Sequence, residues 1–368
     1  MATVLLVGGA GYVGSVLASE LLERGYAVRI LDRLYFGDHG LAEFRDRVDV
    51  VVGDMRSIPD GVLDGVEAVV NVGGLSNDPT AEFNPKANYE MNTTAGVALA
   101  EMCRRQGVRR YVYGSSCSVY DRGVIDETRD VVVDETSDVD PPGAYAGSKL
   151  AAEQQVLPMA SEELCVTVLR KATLFGFSPR MRYDLVLNTF VKDALHKGSI
   201  SLHYGGEMWR PLSDVRDAAR AYIALLRAEP GRVNGQIFNV VYENFRISEL
   251  ALRVREALTK LGIPVEIETD YTYRGIRNYR VSGHKLLQEL KFQPSLTVEE
   301  SVRDMVENIR RCNYTDFDNP RYYNVRWMRL LEQAQSVIRV TGSVWDAPPA
   351  GGGSPRLAQP SPQSGRLE

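Results

Sequence analysis

The run Thr3–Val7 passes directly into Gly8-Gly9-Ala10-Gly11-Tyr12-Val13-Gly14, and this junction constrains the fold more than any other stretch of the chain. Thr3 to Val7 is β-branched and apolar, the pattern of a buried strand. A helical pattern follows, with Val16, Leu17, Leu21 and Leu22 on one side and Arg24-Gly25 closing it. Glycines at 8, 11 and 14 let the backbone turn tightly, let a pyrophosphate approach, and let the helix pack on the strand. The phosphate would rest on free amides at the positive end of that helix, so Gly8, Gly11, Tyr12, Val13 and Gly14 read as cofactor-binding. The next strand, Ala27 to Leu31, ends in Asp32. A carboxylate there hydrogen-bonds an adenosine ribose 2′-hydroxyl and repels a 2′-phosphate, which favours NAD over NADP. Arg33 beside it is the competing signal, because a guanidinium could pair with that phosphate.

The strand–helix alternation continues. Val48 to Val52 is a third strand, followed by Gly53-Asp54-Met55, where Asp54 either caps the adenine amino group or starts a turn. Val66 to Val72 is a fourth, leading into the turn-rich loop Gly73 to Pro79. A long helix is predicted over Ala87 to Arg105 and a fifth strand over Arg110 to Tyr113. Ser115, Ser116 and Cys117 then fall at a strand's carboxyl end, where open parallel sheets bind ligands. Val166 to Arg170 is a sixth strand, and Ile237 to Val241 returns to the sheet. This is the pattern of an α/β chain with a doubly wound parallel sheet. Residues 1–172 form the sheet domain, and 173–311 form mainly a smaller mixed α/β substrate lobe. Residues 312–342 read as a helical extension, and 343–368 as a Gly-, Pro- and Ser-rich tail of disordered composition.

Tyr145-Ala146-Gly147-Ser148-Lys149 puts a phenol and an ammonium one helical turn apart. A free phenol titrates near ~10 and is a poor base at neutral pH. A neighbouring cation favours the phenolate and pulls that value down. Such a pair can take a proton from a substrate hydroxyl while a hydride leaves the same carbon. In isolation the spacing describes many solvated helix faces; the glycine loop upstream is what gives it meaning.

The remaining composition excludes several classes. Net charge is −5 with both signs interspersed, so no basic face argues for nucleic acid. Val4 to Val7 is too short and too quickly ended by glycine to be a signal peptide or a membrane span. The four cysteines are scattered without a CxxC, as expected of a reducing cytoplasm. The four histidines are equally scattered, so no metal site is expected. Ser116 lies in Gly114-Ser115-Ser116-Cys117-Ser118, which lacks the second glycine of a hydrolase nucleophile elbow.

With these motifs in order, the chain resembles the extended short-chain dehydrogenase/reductase family, in its nucleotide-sugar epimerase and dehydratase branch. The resemblance runs over about residues 3 to 311 and rests on the glycine loop, Asp32, Gly53-Asp54, Asn92, Ser116, Tyr145 with Lys149, and Trp209-Arg210 before Asp214. It implies an NAD-binding Rossmann domain with a C-terminal lobe for a nucleotide-diphosphate sugar, and a catalytic trio of Ser116, Tyr145 and Lys149. It implies that Asp54, Met55, Val72, Gly73 and Asn92 line the cofactor. Ser76, Cys117, Thr173, Asn188, Arg210 and one of Arg274 or Arg277 would face the substrate. It also implies a homodimer through the helices spanning Ala87 to Arg105 and Tyr145 to Met159, where Val97, Met102, Leu150 and Val156 serve either that interface or the core.

The departures narrow the activity. Family dehydratases carry an Asp-Glu pair directly after the catalytic Ser or Thr; here those positions are Cys117 and Ser118. Cys117 reads as a small wall residue or an acid/base thiol. Thr173 stands where many 4-epimerases have Asn, Pro211 where Asp is common, and Ser76 where some place a lysine near the pyrophosphate. The expected activity is an NAD-dependent nucleotide-sugar epimerase acting at C4 through a transient 4-keto sugar. The rivals are a 4-ketosugar reductase or dehydrogenase with net hydride exchange, and a non-catalytic NAD-binding scaffold.

Overall fold

The computed structural model describes residues 2–122, 131–271 and 277–341. Seven strands form its central sheet, in the order Gln236–Val240, Cys165–Lys171, Arg110–Ser116, Ala68–Asn71, Thr3–Val7, Ala27–Asp32, Asp49–Val52. Every pairing in this sheet is parallel. Chain order runs outward in both directions from Thr3–Val7, so a crevice opens at the carboxyl ends of Thr3–Val7 and Ala68–Asn71.

Both faces of the sheet are covered, which is why its strands are near-continuous apolar runs. Val4 and Leu6 enter a core with Val16, Leu17 and Leu21 of the helix Tyr12–Glu23. Leu5 and Val7, pointing the other way, enter a second core with Leu99, Ala100 and Tyr113. The helix Val215–Arg227 packs on the first of these cores through Ala218, Tyr222 and Leu225. A third core joins Phe175, Leu187, Phe245, Leu250 and Met305, and Phe317 beyond them.

Three expectations change in detail. The Arg110 strand runs on to Ser116, so both serines are strand residues and not part of a following loop. The helix expected over Ala87 to Arg105 starts at Pro85, capped by the Asn84 side chain accepting from Ala87 N at 3.0 Å. It also carries a π-helical stretch, Glu90–Thr94, before continuing as Ala95–Arg105. The helical extension expected over 312–342 narrows to the helix Asn324–Thr341, with a separate helix, Val298–Arg311, before it. The latter opens on a reciprocal cap: Thr297 Oγ1 accepts from Glu300 N, and Glu300 Oε2 accepts from Thr297 N. Val156 is fully buried in the chain's own core, so it is spent on the monomer and not on a helix-pair interface. The expected tail from 343 lies outside the described residues. No described helix is long and apolar enough to cross a membrane.

The helix Ala144–Val156 is locked to the sheet by a buried ion pair. Glu153 takes Arg170 Nε and Nη2 on its two oxygens at 2.5–3.1 Å, while Arg170 Nη1 donates to the Tyr120 hydroxyl at 2.8 Å. Both partners are almost fully buried. Removing one partner of such a pair strands the other charge, at a cost of about 3–5 kcal/mol. Glu153→Ala is therefore expected to lower the unfolding free energy by about that amount in urea titration; a change below about 1 kcal/mol would show that the pair does not anchor this helix.

Candidate active site

The crevice is walled on one side by the glycine loop. Gly8 has φ +81°, and a Cβ there would come within 2.6 Å of Gly73 Cα. At Gly14 a Cβ would meet the Gly8 carbonyl at 2.1 Å, so helix and strand approach closely only because both positions lack side chains. The helix begins at Tyr12 with Gly11 as N-cap and no side-chain cap, which leaves its first amides free for an anion. Asp32 accepts from Ala10 N at 3.0 Å and from Leu34 N at 2.8 Å. Burial holds the Asp32 carboxyl above its ordinary range, and those amides offset the rise only in part. Gly8, Gly11, Tyr12, Val13, Gly14, Asp32, Arg33, Asp54, Met55, Val72 and Gly73 all line this cleft. Arg33 turns its guanidinium to Asp54 at 2.6 Å. Asp54 is also bonded by Arg56, which holds its pKa down at about 2. The cleft thus offers close backbone approach, free helix amides and a ribose-facing carboxylate, and these fit a dinucleotide.

At the far end of the cleft stand Ser116, Tyr145 and Lys149. Ser116 is the last residue of its strand, and its Oγ takes bonds from Ser118 N at 3.2 Å and Ser118 Oγ at 3.0 Å. Tyr145 sits in the first turn of its helix. Burial raises its phenol, while hydrogen bonding to Ser116 and the charge of Arg182 pull it down. Of the neighbouring cations, Arg182 is the one whose charge opposes that rise. Lys149 is 5% exposed and donates to the Gly114 carbonyl at 3.0 Å, above the Tyr113 ring. Burial pulls its ammonium down to about 8, with Glu153 opposing.

Of the residues expected around a substrate, Ser76, Thr173 and Arg277 line the cleft. Arg277 is paired with Asp78 and lies 3.5 Å from Asp121. Three others do not line it, and neither does Asn92, which was expected on the cofactor. Cys117 is fully buried among Val119, Tyr120, Ala172, Val241 and Val281, with its thiol bonded to the Arg170 carbonyl. Burial pushes that thiol far up, so it is neither a wall residue nor an acid/base. Asn188 spends its amide on Gly176 N, Arg182 O and the Tyr12 hydroxyl, and so shapes the wall from inside. Asn92 holds the 73–75 loop and the tyrosine helix through Leu75 O and Ser148 Oγ, and does not line the cleft. Arg210 bonds Trp209 O and faces the Tyr279 ring, whose tyrosine does line it. Arg274 lies outside the described residues.

The structure adds residues that the sequence reading passed over. Lys171 lines the cleft and donates to Ser115 O at 2.7 Å and the Tyr222 hydroxyl at 3.0 Å. Burial first, and then Lys149, push its ammonium well below the ordinary range. Arg182 is bonded to Asp184 at 2.8 Å and to Ser76 Oγ at 3.2 Å. Arg180, Asn324 and Met328 complete the wall. The signal was faint: two arginines in the irregular segment Ser178-Pro179-Arg180-Met181-Arg182, followed by Asp184.

Fold and site together define a dinucleotide-dependent protein with a Ser–Tyr–Lys centre on a doubly wound sheet. Residues 4–240 match the model of the NAD dependent epimerase/dehydratase family. The chain belongs to that family, and its cofactor is NAD. It is 26% identical over 324 residues to a UDP-N-acetyl-alpha-D-glucosaminuronate decarboxylase of Bacillus cytotoxicus, covering 83% of this chain and 97% of the relative. It is 32% identical over 193 residues to the UDP-glucose 4-epimerase of Bacillus subtilis, covering 49% and 55% respectively. Among solved structures, MoeE5 in complex with UDP-glucose and NAD superposes with a TM-score of 0.71 at 25% identity, over 85% of this chain and all of the other.

The position of Lys149 gives stability a pH signature. Its pKa is about 8 when folded against an ordinary 10.5, so between these values the unfolded chain binds more protons. Stability from this residue is therefore lowest below pH ~8 and rises towards ~10.5. Wild-type stability, measured relative to Lys149→Met by urea titration, is expected to increase from pH 7.5 to pH 10; a flat or falling difference would refute a depressed Lys149.

Proposed function

We propose that this chain is an NAD-dependent nucleotide-sugar epimerase acting at C4. The supporting observation is the composition of the cleft around Ser116, Tyr145 and Lys149. The only carboxylates among its described lining residues are Asp32 and Asp54, both at the adenosine end. Water elimination needs an added acid and base beside the sugar. The two residues after Ser116 supply neither, because Cys117 is sealed in a core and Ser118 is buried against Ser116.

NAD, when bound, accepts a hydride from the sugar carbon and can return it. Tyr145 takes the proton of the sugar hydroxyl on its phenolic oxygen, and Ser116 holds the same hydroxyl by a hydrogen bond. Burial holds the phenol above its ordinary value, and the bond to Ser116 and the charge of Arg182 oppose that rise, the direction a general base requires. Lys149 holds the nicotinamide ribose from inside the wall, where its ammonium is fixed on Gly114 O. After the ketone turns over, Tyr145 returns the proton to the opposite configuration and the cycle closes without net redox change.

A second reading shares this first half. If the sugar carries a carboxylate on C5, the C4 ketone makes it a β-keto acid, which loses carbon dioxide. The decarboxylase relative, matched over almost its whole length, supports that branch.

The first experiment is mass spectrometry of small molecules released from the denatured protein. Stoichiometric NAD is expected, with product analysis on UDP-hexoses and UDP-hexuronic acids then separating a 4-epimer from released carbon dioxide. Free NADH accumulating with substrate would overturn the epimerase in favour of net hydride exchange. Tyr145→Phe is expected to cut turnover by a factor of 10² or more, the scale of general acid–base catalysis, while leaving NAD bound. Turnover at the wild-type rate would remove the phenol from the chemistry.

A further inference from the structure

Arg180 is 2% exposed, yet it lines the dinucleotide cleft. It comes from the segment after the strand Thr173–Phe175. That segment is fastened to the glycine loop. The Tyr12 hydroxyl donates to Gly176 O at 2.8 Å, Ser178 Oγ donates to Tyr12 O at 2.8 Å, and Ser178 also meets Ser15 Oγ at 3.0 Å. At Gly40 a Cβ would lie 3.0 Å from Arg180 Cβ and 3.4 Å from the Ala10 carbonyl, so Gly40 lies close to both the arginine stem and the loop that meets the phosphates.

The guanidinium is held but not neutralised. Phe36 stacks on it at 3.7 Å, and Nη2 donates to Asn324 Oδ1 at 2.6 Å. Its Nε is buried without a hydrogen-bond partner. Among the described residues no carboxylate lies at ion-pair distance, although Asp184 and Asp32 act on it from further away. Burial first, and the neighbouring Arg182 second, depress its pKa to about 9. A desolvated cation with an idle donor is costly unless something anionic meets it. Arg182 is different, because Asp184 already covers its charge.

We propose that Arg180 is a ligand of the NAD pyrophosphate, closing it against the free amides of the Tyr12–Glu23 helix, and that Asn324 positions it. The planar fork matches phosphate oxygens, and the Phe36 ring fixes its plane before the anion arrives. Ser76, joined to Arg180 through Asn324, supplies only a hydroxyl, which already accepts from Arg182 and Asn324. This assignment depends on NAD as the cofactor and not on which carbon reacts.

The test measures affinity, not turnover. NAD, ADP and adenosine binding are compared by calorimetry for NAD-stripped wild type, Arg180→Gln and Asn324→Ala. Arg180→Gln is expected to weaken NAD and ADP by about ten- to a hundredfold, the scale of one charge-assisted hydrogen bond, and to leave adenosine unchanged. Asn324→Ala is expected to weaken the same two ligands by a smaller factor. Wild-type affinity for NAD and ADP in Arg180→Gln would overturn the proposal. So would an equal loss for adenosine, which would mean that the residue only shapes the cleft. If Arg180→Gln does not fold, Arg180→Lys carries the same comparison, with a loss confined to the two diphosphates expected and uniform or absent loss overturning it.

Discussion

Position at the reacting end of the cleft depends on one buried charge pair. Arg170 and Glu153 join the last turns of the Ala144–Val156 helix to the Cys165–Lys171 strand. Tyr145, Lys149 and Glu153 follow one another at four-residue intervals on that helix, so fixing the third sets the rotation of the other two. Lys149 then reaches Gly114 O on the adjacent strand, whose last residue is Ser116. A helix free to roll would separate the phenol from the serine. Within a low-dielectric interior the pair is a positional device more than a source of net stability.

The sheet was legible because its signals are local. Apolar runs, glycines between strand and helix, and Asp32 at a strand end each carry their meaning within a few residues. Ser116, Tyr145 and Lys149 were legible for the same reason: each sits on a regular element whose end faces the switch point. The wall residues were not. Asn92, Asn188 and Cys117 lie within three residues of a cleft-lining position, but their side chains turn inward to bond carbonyls and amides elsewhere in the chain. Arg180 and Arg182 turn the other way, from a segment with no period to read. Direction in irregular backbone is set by tertiary partners, such as Phe36 and Asn324 for Arg180, which no local window contains.

The tyrosine's electrostatics show a related limit. Spacing placed a lysine one turn from the phenol, and the pairing of charges follows naturally from that. In the folded chain Lys149 is drawn to a backbone carbonyl, and the charge acting on Tyr145 comes from Arg182, beyond the edge of the sheet. Two lysines, 149 and 171, are buried below the site, and the charge of Lys149 adds to the burial that disfavours protonation of Lys171. Their combined field is a property of the pair, set by two strands and a helix together.

The wall formed by the Asn324–Thr341 helix has a consequence for biosynthesis. Asn324 bonds Ser76 and Arg180, Trp327 Nε1 donates to Tyr35 O, and Met328 lines the cleft. The glycine loop leaves the ribosome first and this wall long afterwards, so a nascent sheet presents an open-sided nucleotide groove throughout synthesis. The first and last described elements thus meet across one cleft, and its wall on this side is complete only once the final helix has docked.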